Sequence, residues 1–263
     1  MFPFDYVRPT GLAEAVAAYG QDGDPRYLAG GQSLLGALKL RLASPSALID
    51  IARLPELRGI RRDGDMLVVG AASTHAEMAE GVEIAALAEL AGSIGDLQVR
   101  NMGTLGGSLA NNDPAGDHAA GVLGLGAEIR TDRRVIPADA FFVGMFETAL
   151  EPGEVIVEIA YPLPRRAGYA KVRNPASGYP VVGVFVAETY IGMRVAVTGA
   201  GACVFRLPEF EDALSHEFSP AALAGLMVPA DDLNRDLHAT AEYRAHLIGV
   251  LARRAVEGCG GRS

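Results

Sequence analysis

Two stretches of this 263-residue chain have the residue types to hold a phosphate group. The first is Leu28-Ala29-Gly30-Gly31-Gln32-Ser33-Leu34. The second is Asn101-Met102-Gly103-Thr104-Leu105-Gly106-Gly107-Ser108-Leu109-Ala110-Asn111. A glycine pair between a strand and a helix lets the backbone take positive φ and approach a ligand closely. Successive exposed N–H groups there form an anion cradle, which a following helix N-terminus reinforces. Ser33, Thr104 and Ser108 add hydroxyl donors beside those amides. With 32 glycines in the chain, one Gly-Gly pair is an ordinary turn. Two loops of like design match a pyrophosphate, which has two phosphates to hold.

Neither loop is a standard nucleotide fingerprint. A P-loop needs Gly-x4-Gly-Lys-Ser/Thr, and no such run occurs. Gly199-Ala200-Gly201 begins like a dinucleotide motif, but Val204 stands in the third glycine position. Ser33 lacks the closing glycine of a nucleophile elbow. Past the second loop come Asp113 and Asp117. Either can accept from ribose hydroxyls or cap the helix that starts near His118, and spacing favours the cap. No other carboxylate pair reads as an acid/base dyad. Histidines 75, 118, 216, 238 and 246 are read as unclustered and not as metal ligands.

These residues need elements to position them. Helical spacing is predicted over 10–19 behind Thr10, over 33–42, from the Thr74 cap through 80, over 82–91 and over 119–125. Strands are predicted at 26–29, 47–51, 66–71, 127–131 and 154–161. Phe141-Phe142 opens a turn or helix. In the last third, strands at 169–173, 181–190 and 194–199 precede helices near 207–214, 220–226 and 239–256. The last of these carries an apolar stripe at helical period. Leu54-Pro55 and the Pro162–Arg166 region divide the chain into units at 1–55, 56–164 and 165–263.

Bulk properties narrow the function classes. Hydrophobic residues make up 49% and charged residues 21%, as in an ordinary globular protein. The formal net charge of −9 and the scattered Arg-Arg pairs argue against a nucleic-acid binder. Two distant cysteines, Cys203 and Cys259, supply neither a disulfide framework nor ligands for an iron–sulfur cluster. The N-terminus has no signal-peptide pattern. The longest uncharged stretch, 174–187, is too short and too broken to span a membrane. A cytoplasmic protein is expected.

At the two loops the sequence resembles the medium, FAD-binding subunit of the molybdenum hydroxylases, the xanthine dehydrogenase and aerobic carbon monoxide dehydrogenase type. Ala29-Gly30-Gly31-Gln32-Ser33 with Leu38-Lys39-Leu40-Arg41-Leu42 is one signature. The run from Gln98 through Ser108 is a second. Phe141-Phe142-Val143-Gly144 with Thr148-Ala149-Leu150-Glu151-Pro152-Gly153-Glu154 is a third, and Ala241-Glu242-Tyr243-Arg244 with Arg253-Arg254-Ala255 matches the C-terminal helix. The likeness covers the whole chain.

The resemblance implies an α+β fold: a two-part FAD-binding domain of the vanillyl-alcohol-oxidase (PCMH) type, then a small C-terminal domain of antiparallel sheet plus helical bundle. It implies that residues 28–34 and Thr104, Leu105, Gly106, Gly107 and Ser108 hold the FAD pyrophosphate. It places Asp117 at the adenosine part, and Lys171 and Tyr179 in the stretch where a tyrosine covers the isoalloxazine ring. Gly178 stands where some relatives have aspartate. FAD is expected without a covalent link, because the first loop has no histidine or cysteine. His118 near the second loop is the one exception to weigh. The molybdenum cofactor and two [2Fe–2S] clusters are expected only in a large and a small partner subunit, the whole assembled as a dimer of heterotrimers. The rival readings are a stand-alone oxidase of the same fold and a non-catalytic nucleotide-binding module.

Overall fold

The computed structural model describes residues 1–20 and 23–261. Three sheets follow one another along the chain. The first unit comprises β1 (Asp5–Val7), α1 (Leu12–Tyr19), β2 (Pro25–Leu28), α2 (Leu34–Lys39) and β3 (Ala47–Asp50). Its three strands are parallel in the order β1-β3-β2. Leu48 and Ile49 on the central strand are buried, and Ala15 of α1 packs in one cluster with Ile49.

The second unit begins with β4 (Ile60–Asp63) and β5 (Met66–Gly70). Five helices follow: α3 (His75–Gly81), α4 (Ala85–Gly92), α5 (Leu97–Met102), α6 (Leu105–Asn111) and α7 (Asp117–Leu125). Then come β6 (Glu128–Thr131), β7 (Val135–Pro137), α8 (Ala138–Phe141), a small hairpin of β8 (Phe142–Gly144) and β9 (Glu147–Thr148), and β10 (Ile156–Pro162). The main sheet is antiparallel in the order β4-β5-β10-β6-β7. All nine residues of α7 are buried. Its Ala and Gly content lets the helix run through the core without crowding it.

The third unit has β11 (Arg166–Arg173), β12 (Pro180–Thr189), β13 (Gly192–Thr198), β14 (Phe205–Arg206), α9 (Pro208–His216), α10 (Ala241–Glu257) and β15 (Gly260–Gly261). Side chains alternate across a strand, and both faces of this sheet are used. Val182, Val184 and Val186 pack against Leu247, Ile248 and Leu251 of α10. Phe185, Ala187 and Ala196 enter the core of the second unit. Buried Arg194 ties the units together, donating to the Leu123 carbonyl and to both oxygens of Asp139.

The structure departs from the sequence reading at several places. Thr10 does not cap α1; its backbone and hydroxyl bond Glu14, and Gly11 is the cap. The helix predicted over 33–42 stops at Lys39, where Arg41 takes φ +58°. The helix predicted from 82 starts only at Ala85, because β-branched Val82 and Ile84 are extended after the end of α3. Phe141 ends α8 rather than opening a helix. The linker placed at 162–166 is only three residues, 163–165, between β10 and β11. Residues 100–117, glycine- and asparagine-rich in sequence, hold the end of α5, all of α6 and the first residue of α7. Side-chain caps from Asp96 and Thr104 offset the poor helix propensity of glycine there.

Candidate functional site

A cleft of about 730 Å³ opens where the three units meet. That size lies within the usual range for small-molecule sites, roughly 300–1,000 Å³. The first unit contributes residues 28–34, the turn from β2 into α2. The second contributes Gly103, Thr104, Gly106, Gly107, Ser108 and Asp117. The third contributes the loop Ser177-Gly178-Tyr179. Leu105 and Lys171 do not line the cleft.

The two glycine loops meet there, but differently. At the first, Gly31 has φ +72°, a region that favours glycine. A β-carbon on Gly30 would overlap the Met102 carbonyl oxygen, so only glycine lets this turn lie on the second loop. The amides of Gly30, Gly31, Gln32 and Ser33 make no hydrogen bond to any described residue. They are four consecutive donors on the cleft wall.

The second loop is the first turn of α6, and its amides are already used. Leu105 N–H donates to the Ser73 carbonyl at 3.0 Å and Gly106 N–H to the Ala71 carbonyl at 2.8 Å. Gly107 N–H donates to Thr104 Oγ1 at 3.2 Å. Gly107 is helical and does not have positive φ. Leu105 is fully buried in the core. What this loop offers the cleft is side-chain hydroxyl, from Thr104 and Ser108, and not an amide cradle.

At one end of the cleft lies a buried ion pair. Lys171 Nζ donates to Asp117 Oδ1 at 2.7 Å, to the Ser93 carbonyl at 3.1 Å and to the Gly178 carbonyl at 3.2 Å. An ammonium has three donors, and all three are spent. Tyr169 Oη also donates to Asp117 Oδ1, at 2.7 Å. Burial pushes the Asp117 carboxyl up, while Lys171 and Tyr169 hold it down. Through Gly178 the pair is joined to the Tyr179 loop, which brings Asp117 close to Tyr179. Asp117 is the first residue of α7, and Gly116 holds the cap position. Tyr179 is 43% exposed beside it, and burial raises its hydroxyl.

Reading the histidines as unclustered does not survive folding. His118 Nε2 and His75 Nδ1 lie 3.0 Å apart in a buried pair. Burial pushes His75 down to about 4 and His118 well below its ordinary value, so both rings are neutral near pH 7. His75 lines the cleft, whereas His118 is sealed behind it and cannot reach a ligand. The two residues are 43 positions apart, so spacing gave no signal. Only the Thr74 cap, which fixes the start of α3, was legible. Among the described residues no three His, Cys, Asp or Glu side chains form a metal-binding group.

Comparison with known proteins agrees with this geometry. Residues 2–164 match the family described as the FAD binding domain in molybdopterin dehydrogenase. The chain is 36% identical to the carbon monoxide dehydrogenase medium chain of Hydrogenophaga pseudoflava, covering 96% of each chain. It is 35% identical to the nicotine 6-hydroxylase medium subunit of Paenarthrobacter nicotinovorans, covering 98% of each. Among solved structures, the reconstituted carbon monoxide dehydrogenase of Oligotropha carboxidovorans superposes with a TM-score of 0.89 at 32% identity, covering 98% of each chain. The relatives named here are subunits of larger enzymes, which leaves the stand-alone-oxidase and nucleotide-module readings without support. The chain belongs to the FAD-binding medium subunits of the molybdenum hydroxylases, the electron-transferring subunits of these oxidoreductases.

Proposed function

We propose that FAD lies along the cleft with its pyrophosphate on the first loop and its ring system at the Tyr179 end. The observation that carries this reading is the run of four unpartnered amides at Gly30, Gly31, Gln32 and Ser33. Gly30 is buried and Gly31 half-buried, while Gln32 and Ser33 are open to the cleft, and an anionic oxygen satisfies several such amides at once. Ser33, Thr104 and Ser108 add hydroxyls, and Leu28, Ala29 and Leu34 supply apolar wall. Gly106 and Gly107 provide close floor rather than donors. Lys171 joins Asp117 to the Gly178 carbonyl next to Tyr179, which favours the ring over the adenosine part as the neighbour of Asp117. We assign Asp117 to the ring end, where Lys171 holds it in place, while core-buried Leu105 anchors the start of α6 through the Ser73 carbonyl.

FAD, when bound, supplies the redox chemistry, and the protein supplies orientation and a defined polar surround. Electrons enter from a small [2Fe–2S] subunit and leave to an external acceptor, while a large subunit carries the molybdenum cofactor. A pair of heterotrimers in the cytoplasm is the assembly we propose. No helix among the described residues is long and apolar enough to cross a membrane. Near-equal identity to the medium subunits of a carbon monoxide dehydrogenase and of a nicotine hydroxylase fits a chain that does not choose the substrate. A carbon monoxide dehydrogenase-like or xanthine dehydrogenase-like complex is proposed.

Two experiments test the reading. Acid precipitation of the purified chain should leave yellow supernatant over a colourless pellet, since His118 is out of reach and FAD is not linked. A pull-down from the native host should recover one molybdenum-containing and one iron–sulfur chain. Purification of a lone chain that oxidises a small alcohol, aldehyde or amine would overturn the subunit role.

A further inference from the structure

The histidine pair has one feature that its burial alone does not require. His118 Nδ1 is sealed from solvent without a hydrogen-bond partner. His75 Nε2 has no protein partner either, yet it is not sealed, and His75 lines the cleft. Two arrangements satisfy the 3.0 Å contact between the rings. If His75 Nδ1–H donates, His118 must carry its own proton on Nδ1, and a buried N–H is stranded. If His118 Nε2–H donates, the stranded atom is a bare ring nitrogen and no donor is orphaned. Orphaned buried N–H groups are rarer than under-used acceptors. The second arrangement also puts both rings in the Nε2–H form, the intrinsically favoured tautomer of a neutral histidine side chain. It leaves His75 Nε2–H free to donate to an acceptor in the cleft that His75 lines.

That part of the cleft adjoins the first loop. A β-carbon on Gly103 would lie 2.6 Å from His75 Nε2, and one on Gly30 would lie 2.8 Å from Gly103 Cα. The imidazole N–H, Gly103 and the Gly30 turn are therefore immediate neighbours. The ring is held by its burial and by the His118 contact, and the Thr74–Glu77 cap fixes the backbone that carries it. We propose that His75 donates its Nε2–H to a pyrophosphate oxygen of bound FAD, and that His118 is the positioning residue that fixes His75 in the donor tautomer. This rests on the assignment of the pyrophosphate to the first loop.

The full chain, stripped of flavin, is titrated with FAD, ADP and riboflavin. His75→Phe should weaken FAD and ADP by the same factor, about ten- to hundredfold for one lost donor to an anion, and leave riboflavin unchanged. His75→Gln, which keeps an N–H donor, should recover part of the loss. Unchanged ADP affinity in folded His75→Phe overturns the proposal, whether or not FAD affinity falls. Gly30→Ala is the control: if it too leaves ADP binding intact, the first-loop assignment fails, whereas a loss there without one in His75→Phe sinks the histidine proposal alone. The tautomer is read separately in the wild-type chain by nitrogen-15 NMR of labelled histidines. Both rings should show protonated Nε2 and bare Nδ1 at pH 7. A protonated Nδ1 on either ring overturns the locking role of His118.

Discussion

The two glycine loops have nearly the same composition and do opposite work. In the first, the backbone N–H groups are left without partners and face the cleft. In the second, three successive amides are consumed by the Ser73 and Ala71 carbonyls and the Thr104 hydroxyl. The difference follows from what each pair of glycines is for. Gly31 takes a left-handed conformation and Gly30 makes room for the neighbouring backbone, so the first turn stays open and irregular. Gly106 and Gly107 are helical, and they let α6 press against Ala71 and the first loop. One loop is a donor surface. The other is the floor that supports it.

The same small substitution in each loop should separate the two jobs. Gly30→Ala has the largest expected effect. Its methyl group would overlap a backbone carbonyl that cannot rotate away, so the loops must part. Overpacking of this kind costs about 1–3 kcal/mol, and the donor surface moves with it. We expect folded chain with at least a tenfold loss of FAD affinity, read by flavin-to-protein ratio and titration. Wild-type flavin content would show that the first loop is not the donor surface. Next comes Glu154, on the wall behind the first loop. It accepts from Arg134, Thr131 and the Glu151 amide, while Tyr27 of β2 donates to the adjacent Gly153 carbonyl. The Arg134 hydrogen bond chiefly holds its carboxyl at about 2, from an ordinary 4.5. The folded value lies below the unfolded one, so this stability is present above pH 4.5 and is lost as pH falls from there toward 2. Glu154→Gln should lower stability at pH 7 by roughly 2–3 kcal/mol and flatten the acid limb of a denaturation series. An acid limb as steep as that of the wild type would show that the pairing is not what carries it.

The sequence made the first loop legible, because a glycine pair after the short apolar run Tyr27-Leu28-Ala29 is a local signal. Most long elements were equally plain, α10 above all, whose apolar stripe became Ile248, Leu251, Ala252 and Ala255. What escaped was set by partners far away in the chain. The strands Asp5–Val7, Ile60–Asp63 and Val135–Pro137 are short and lie at sheet edges, and their pairing holds them rather than their own pattern. The second loop misled because glycine content says nothing about where an amide's acceptor is. Ser73 and Ala71 become those acceptors only when the turn before α3 folds beside Thr104. Lys171 was singled out beside Tyr179 by resemblance, yet no local pattern shows that Asp117, 54 positions away, takes its charge. The His75–His118 pair is the same kind of case.

Gly31→Ala should fall between the two extremes. An alanine held at φ +72° costs about 1–2 kcal/mol, and its methyl would crowd Leu35, whose side chain can yield. Flavin affinity should drop by less than in Gly30→Ala, since the turn can relax without parting the loops; a larger drop would mean that Gly31, not Gly30, sets the cradle. The smallest effect is expected at Gly107. A methyl there would lie 2.8 Å from Thr104 Oγ1 and 3.6 Å from Ala29 Cβ. The hydroxyl can turn away, at the expense of one cap bond of about 1 kcal/mol. Alanine is about 1 kcal/mol better than glycine inside a helix, so the two terms nearly cancel. Gly107→Ala should therefore melt within a few degrees of the wild type and keep most of its flavin. If it instead empties the cleft as Gly30→Ala does, then Gly107 touches the cofactor directly. The second loop would then be a binding surface, and the division of labour drawn from its occupied amides would be wrong.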